Sequence, residues 1–189
     1  RGDALLASYH YERSGRTNAD QHRFRLALCD HEALQRTDEY LRNWQIRTRE
    51  FVFQKATAGR RAMHAIRASA RLDVEQIREL IAWPHAPSRE WSAGFLAGIF
   101  DAEGSFSEGV LRVSNTDQEI IAWLERCLKA FGFRYALEHT KRERAKPIEV
   151  VRLVGGLREH LRFFHTVDPA ITRKRDISGQ AVKSEARLK

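Results

Sequence analysis

Glu103 is the side chain in this sequence best placed to do chemistry. It closes an apolar run, Phe95-Leu96-Ala97-Gly98-Ile99-Phe100-Asp101-Ala102-Glu103, and Gly104 follows at once. A carboxylate is a hard oxygen ligand, and one presented at the tip of a helix suits a divalent cation that activates water against a phosphodiester. Gly94, Gly98 and Ala102 recur at i, i+4 and i+8, so on a helix they form a smooth stripe along which a second helix backbone could approach closely. Gly104 suits the left-handed conformation that closes a helix and turns the chain into a strand. The stripe alone fits a buried helix with a glycine cap and a surface glutamate equally well, so the full string has to decide.

That string, Leu96 to Gly104, resembles the signature helix of the LAGLIDADG homing endonuclease family. The resemblance implies that two such helices pack at a pseudo-twofold axis. It also implies that the acidic residue before the terminal glycine, here Glu103, binds catalytic Mg²⁺, with Mn²⁺ as a substitute. Asp101, at the earlier acidic position, reads as a helix-end polar residue without a metal role. The sequence begins Arg1-Gly2-Asp3-Ala4, where a first signature helix should just have ended, so the expectation is that this opening helix is missing. Asp3 then matches Glu103, with Ala4 in place of the usual glycine, and the carbonyls of Gly2 and Ala102 complete the expected metal ligands. Lys55 and Arg152, at strand ends, are the candidates to organise water at the scissile phosphates.

The implied partner is double-stranded DNA with a long, partly degenerate target, cut on both strands across the minor groove, one strand per acidic residue. Two copies in one chain imply a monomer acting as a pseudo-dimer, similar to the endonuclease domains of bacterial inteins. The stretch His165 to Arg175 looks like the end of such a domain. The alternative within the same fold is a cleavage-deficient DNA-binding protein or an RNA maturase.

Composition agrees with a polyanionic partner. The 189 residues carry 33 Lys and Arg against 25 Asp and Glu, a formal charge of +8, and 42% of them are hydrophobic. No apolar run is long enough to cross a membrane. Cys29 and Cys127 have neither metal-site spacing nor the density of a disulfide scaffold, which leads to free thiols and a cytoplasmic setting. The histidines, His10, His64 and His160 among them, read as scattered core or surface residues rather than ligands.

The chain also repeats itself. Asp30-His31-Glu32 aligns with Asp117-Gln118-Glu119 at an offset of 87 residues, which pairs Arg25 with Arg112, Leu41 with Leu128, Trp44 with Phe131, Arg47 with Arg134 and Ile66 with Leu153. Each half is expected to be one unit: residues 1–81, a Pro-containing linker 82–90, and residues 91–189 with a basic tail. In the second unit the spacing predicts a helix from Trp91 to Gly104, two strands, a helix opened by Asp117 and ended by Gly132, two strands, and a helix from Leu157 to His165. The first unit matches from its first strand onward and ends in a helix from Val74 to Trp83. The expected fold class is α+β, two pseudo-symmetric αββαββα units whose curved antiparallel four-stranded sheets form a DNA-binding saddle.

Alternation along the strands predicts one face packed on helices and one turned outward with polar groups. The DNA-contact candidates are Tyr9, Tyr11, Arg13, Arg23, Arg25, Arg47 and Arg49 in the first unit. In the second they are Arg112, Arg134, Tyr135 and Glu138, with Lys141, Arg144 and Lys146 on a basic loop. Arginine reads guanine bidentately in the major groove, while loop lysines neutralise phosphates. Two sheets end to end, each roughly 30–35 Å long, would cover on the order of 20 base pairs.

Overall fold

The structure, a computed structural model, describes residues 4–9, 20–140 and 147–177. The chain divides into two compact units, Arg1–His85 and Ala86–Lys189.

The first unit runs β1 (Ala4–Tyr9), β2 (Gln21–Leu28), α1 (His31–Asn43), β3 (Arg49–Gln54), β4 (Met63–Ala68) and α2 (Arg71–Leu80). Its sheet is antiparallel in the order β1-β2-β4-β3. The period-2 alternation turns Phe24, Leu26, Leu28, Ile66 and Ala68 to one side, where α1 and α2 cover them with Leu34, Leu41, Val74 and Ile77. Ile46, just past α1, completes this core. Asp30 precedes α1 but does not cap it; its carboxylate instead takes Arg61, at 3.2 Å. The last helix starts and ends three residues earlier than the sequence predicts. Asp73 sits in its first turn and an Arg71–Glu75 pair, 2.8 Å apart at i and i+4, supports the early start.

The second unit opens with a helix. Its elements are α3 (Arg89–Glu103), β5 (Gly104–Ser107), β6 (Val110–Asn115), α4 (Gln118–Ala130), β7 (Tyr135–Thr140), β8 (Ile148–Leu153), α5 (Gly156–Val167) and a short α6 (Thr172–Arg175). The sheet order β5-β6-β8-β7 repeats that of the first unit. Here Asp117 does cap its helix, accepting from the Glu119 and Ile120 N–H groups. Phe100, Phe106, Phe163 and Phe164 form an edge-to-face aromatic cluster, with Phe100 5.6 Å from both Phe163 and Phe164. His160 is buried in this core with its ring 5.3 Å from that of Phe106. Burial pushes its imidazole pKa down; the Leu153 carbonyl and the Glu159 charge oppose this, and neither ring nitrogen reaches a partner in hydrogen-bond geometry among the described residues.

The repeat is real but its register is not constant. An offset of 87 holds through α4: Gln45 and Gly132, its counterpart, both end their helices in the left-handed region, at φ 61° and 68°. At the last strand the offset falls to 85. Arg25 pairs with Arg67 and Arg112 with Arg152, so Arg67 and Arg152 are equivalent, and Ile66 matches Val151 rather than Leu153. The reason is the connection before that strand, together with a register shift between Val52 and Gln54 on β3.

Gly104 also differs from expectation. Its backbone is extended, at φ −81° and ψ 153°, so no left-handed turn is made there. Glycine is required by close approach instead: a Cβ would stand 2.3 Å from Phe100 Cδ2 and 2.5 Å from the Phe100 carbonyl oxygen. No helix among the described residues is long and apolar enough to cross a membrane.

A candidate metal-binding carboxylate and an arginine-bearing sheet face

Ser88 starts α3 by accepting the Trp91 N–H at 3.0 Å, and Leu96, Ile99 and Phe100 bury one side of the helix in the second unit's core. The opposite side carries Gly94, Gly98 and Ala102, all exposed, and within this unit no described atom lies within 4 Å of a Cβ built at position 94 or 98.

Glu103 is the last residue of this helix. It is exposed and makes no hydrogen bond or ion pair among the described residues. A carboxylate here stands at the negative pole of the helix; α3 has no basic residue of its own in the last turn, and the cation at this end comes from Lys174, far along the chain. A carboxylate at this pole is eased by a cation. The donor is a hard oxygen, so the residue present fits a divalent ion of the Mg²⁺ type.

The end of α3 is braced from far along the chain. Asp101 accepts the backbone N–H groups of Ala170 at 2.7 Å and Ile171 at 3.0 Å. The Lys174 ammonium in turn donates to the carbonyls of Asp101 at 2.6 Å, Gly104 at 2.9 Å, Ala102 at 3.3 Å and Phe100 at 3.4 Å. It thereby adds a cationic donor to the carbonyls at the end of the helix. Asp101 is thus a structural anchor, as its position suggested, and the Ala102 carbonyl is already engaged by an ammonium. The stretch 168–175 is held by Asp168, left-handed at φ 50°, and its ion pair with Arg175 at 2.6 Å. Nothing in sequence spacing could reveal Lys174, because its partners lie some 70 residues away. Gly2 and Asp3, the counterparts expected across the repeat, lie outside the described residues, as do Tyr11, Arg13, Lys141, Arg144 and Lys146.

The side of each sheet away from its helices carries arginines in register. In the first unit Leu5, Arg25, Arg67 and Arg49 form one row across four strands. Two residues along, Arg23 stacks over the Tyr9 ring at 5.7 Å. Phe51 and Phe53 lie among these arginines, with Arg67 over Phe51 at 5.3 Å and Arg25 over Phe53 at 4.5 Å. Like charges directly opposite on a sheet are destabilising, and the aromatic faces hold the guanidinium groups apart without neutralising them. The face therefore favours an anion.

In the second unit the equivalent row is Ser105, Arg112, Arg152 and Ala136. Arg152 pairs with Glu138 at 2.7 Å, and Arg112 Nε is buried without a partner among the described residues. The row begins two residues after Glu103, so carboxylate and arginines belong to one end of one sheet.

Arg67, Phe51 and Phe53 escape the sequence reading. A single arginine between Ile66 and Ala68 looks like any solvated residue until the register puts it in line with Arg25 and Arg49. Lys55 lies in the exposed connection after β3 and is not the counterpart of Arg152, a place that belongs to Arg67. Arg47 and Arg134 are exposed just before β3 and β7. Tyr135 is turned to the helix-covered side, where its hydroxyl donates to Glu125 at 2.7 Å. Tyr135 therefore departs from the direct DNA contact expected of it, whereas Glu138 stays on the arginine-bearing side, where it accepts from Arg152 at 2.7 Å.

Residues 90–168 match the family model of a LAGLIDADG-like domain. No curated protein matches the sequence. Most of the chain shares its fold with the homing endonuclease I-DmoI. With I-DmoI in complex with DNA and Mn the TM-score is 0.66 at 16% identity, covering 88% of this chain and 89% of that one. I-DmoI in complex with DNA and Ca gives the same score and identity, with 88% and 83% covered. The N-terminal LAGLIDADG domain of DUF199/WhiA is also similar, at TM-score 0.55 and 15% identity over 82% of this chain and 74% of that one. At these identities the likeness establishes the fold: this is a LAGLIDADG architecture, built twice.

Proposed function

We propose that the chain is a site-specific, divalent-metal-dependent DNA endonuclease of the homing type, which makes double-strand breaks in a long target. The observation that supports this most is the exposed Glu103 carboxylate at the C-terminal end of α3, without a partner among the described residues and beside a sheet face bearing Arg112 and Arg152. A bound Mg²⁺, with Mn²⁺ as a substitute, would supply an acidified water and neutralise charge on the leaving oxygen. Glu103 is one ligand; Asp3 as its counterpart, with the Gly2 and Ala102 carbonyls, comes from the family resemblance. The Ala102 carbonyl would be shared with Lys174.

The arginine rows hold the duplex. Arg25, Arg67, Arg49 and Arg112 are assigned to base edges and phosphates, and Arg152, oriented by Glu138, to a phosphate near the cut, with Lys55 as the further basic candidate. Two units in one chain let a monomer act alone. The intein setting rests on sequence resemblance alone, that of two fused copies in a basic single chain and of the stretch His165 to Arg175.

A DNA-binding protein without cleavage is the second reading. The Lys174 ammonium favours it, because it already places a fixed positive charge at the helix end where a metal would act. Incubation with a plasmid library of randomised targets separates the two: the nuclease linearises particular plasmids in Mg²⁺ and not in EDTA. Retention of plasmids without linearisation, unchanged by metal, favours the second reading.

A further inference from the structure

Two histidines that look scattered in sequence meet on one carboxylate. His31 is the first residue of α1, Glu50 lies on β3 and His64 on β4. His31 Nε2 is 3.0 Å and His64 Nδ1 3.3 Å from Glu50 Oε1. The two rings stand edge to face, 5.5 Å apart. The three candidate ligand atoms all lie within 4.8 Å of one another. We propose that His31, Glu50 and His64 form a Zn²⁺ site, distinct from the nuclease carboxylate and independent of the nuclease reading.

Geometry carries the proposal first. Zinc bonds of about 2.0–2.2 Å in tetrahedral arrangement put donor atoms roughly 3.3–3.6 Å apart, so small rotations of three side chains suffice to close the site. Each ligand is fixed by a regular element: two adjacent strands and the first turn of a helix. Side-chain exposures of 46%, 46% and 39% for His31, Glu50 and His64 leave an entry path and room for water in the fourth position.

Donor chemistry then selects the ion. Two imidazoles and one carboxylate suit Zn²⁺, whereas Mg²⁺ prefers an all-oxygen shell and keeps its waters. Location separates this site from the DNA face. Glu50 pairs in register with Ile66, and His64 is two residues from it, so both point to the helix-covered side of the sheet, opposite Arg25, Arg67 and Arg49. A metal here would tie the start of α1 to β3 and β4.

The second unit offers an internal control. Its equivalent positions are Gln118, Leu137 and Glu149, and among the described residues the imidazole on this carboxylate is His139, which pairs with Glu149 at 2.5 Å. One histidine and one carboxylate make an ion pair rather than a cage, so the expected stoichiometry is one Zn²⁺ per chain.

Titration calorimetry of the full chain with Zn²⁺ and, separately, Mg²⁺ tests this, with Co²⁺ visible absorption as a report on tetrahedral ligation. The wild-type chain should bind one Zn²⁺, gain thermal stability on binding, and show no comparable response to Mg²⁺. His31→Ala, Glu50→Gln and His64→Ala should each weaken Zn²⁺ binding at least tenfold while leaving the metal-free melting profile cooperative, and His139→Ala should bind as wild type. Affinity unchanged in the His31 and His64 variants, or lost instead on Cys29→Ser, overturns the assignment. So does a wild-type chain that binds no Zn²⁺, since the cluster is then a hydrogen-bonded ion pair only.

Discussion

Gly104→Ala isolates the close approach between the end of α3 and the strand that follows it. The new Cβ would stand 2.3 Å from Phe100 Cδ2 and 2.5 Å from the Phe100 carbonyl oxygen. Neither neighbour can yield easily. Phe100 is 0% exposed and wedged against Phe163 and Phe164, and its carbonyl accepts the Gly104 N–H that closes the helix. At φ −81° alanine has no conformational penalty, so the whole cost is steric. Overpacking a core costs about 1–3 kcal/mol, and the upper end applies because a backbone atom is struck. At roughly 2–4 °C per kcal/mol for a chain of this size, Tm should fall by about 6–12 °C. Gly98→Ala is the control: with nothing described within 4 Å in its unit, it should gain about 0.8–1 kcal/mol of helix propensity. Thermal and urea denaturation followed by circular dichroism measures both. A Gly104→Ala variant within 2 °C of the parent, or a Gly98→Ala variant that melts lower, refutes the reasoning.

Arg67→Ala should relax preference at particular base pairs of a bound site by about 1–3 kcal/mol each if the row with Arg25 and Arg49 reads bases. A uniform loss across a mismatch library, with a shallower salt dependence, would make Arg67 a phosphate contact instead. His160, whose pKa is lowered by burial, binds its proton less readily folded than unfolded. Stability should therefore be whole above the unfolded value near pH 6.5 and be lost as pH falls through the lower folded value. His160→Leu should flatten that part of the stability–pH curve, and an unchanged slope would show that His160 is not its source.

Much of the architecture was readable because its signals are local. The α3 string, the Asp117 cap, the Gly132 stop and the amphipathic stripes of α1 and α4 each depend on residues within two turns of one another. Other features depend on register or distant packing. The equivalence of Arg67 with Arg152 appears only once the strands are paired, since a two-residue difference before the last strand breaks the offset seen elsewhere. Gly104 looked like a left-handed cap because glycine commonly is one, and the steric demand of Phe100 cannot be seen in a string. Lys174 and the His31–Glu50–His64 cluster escaped because their members come together through tertiary folding rather than spacing.

Cleavage by Glu103→Gln tests the central claim most directly. The substitution keeps side-chain size and removes a metal-binding oxygen from an exposed residue with no described partner, so melting and DNA affinity should match the parent. On a selected target plasmid in Mg²⁺, the parent should give linear product and the variant should fail to cut at least one strand, leaving nicked or intact circles. A variant that linearises the target at the parental rate contradicts the assignment of Glu103 as a catalytic metal ligand.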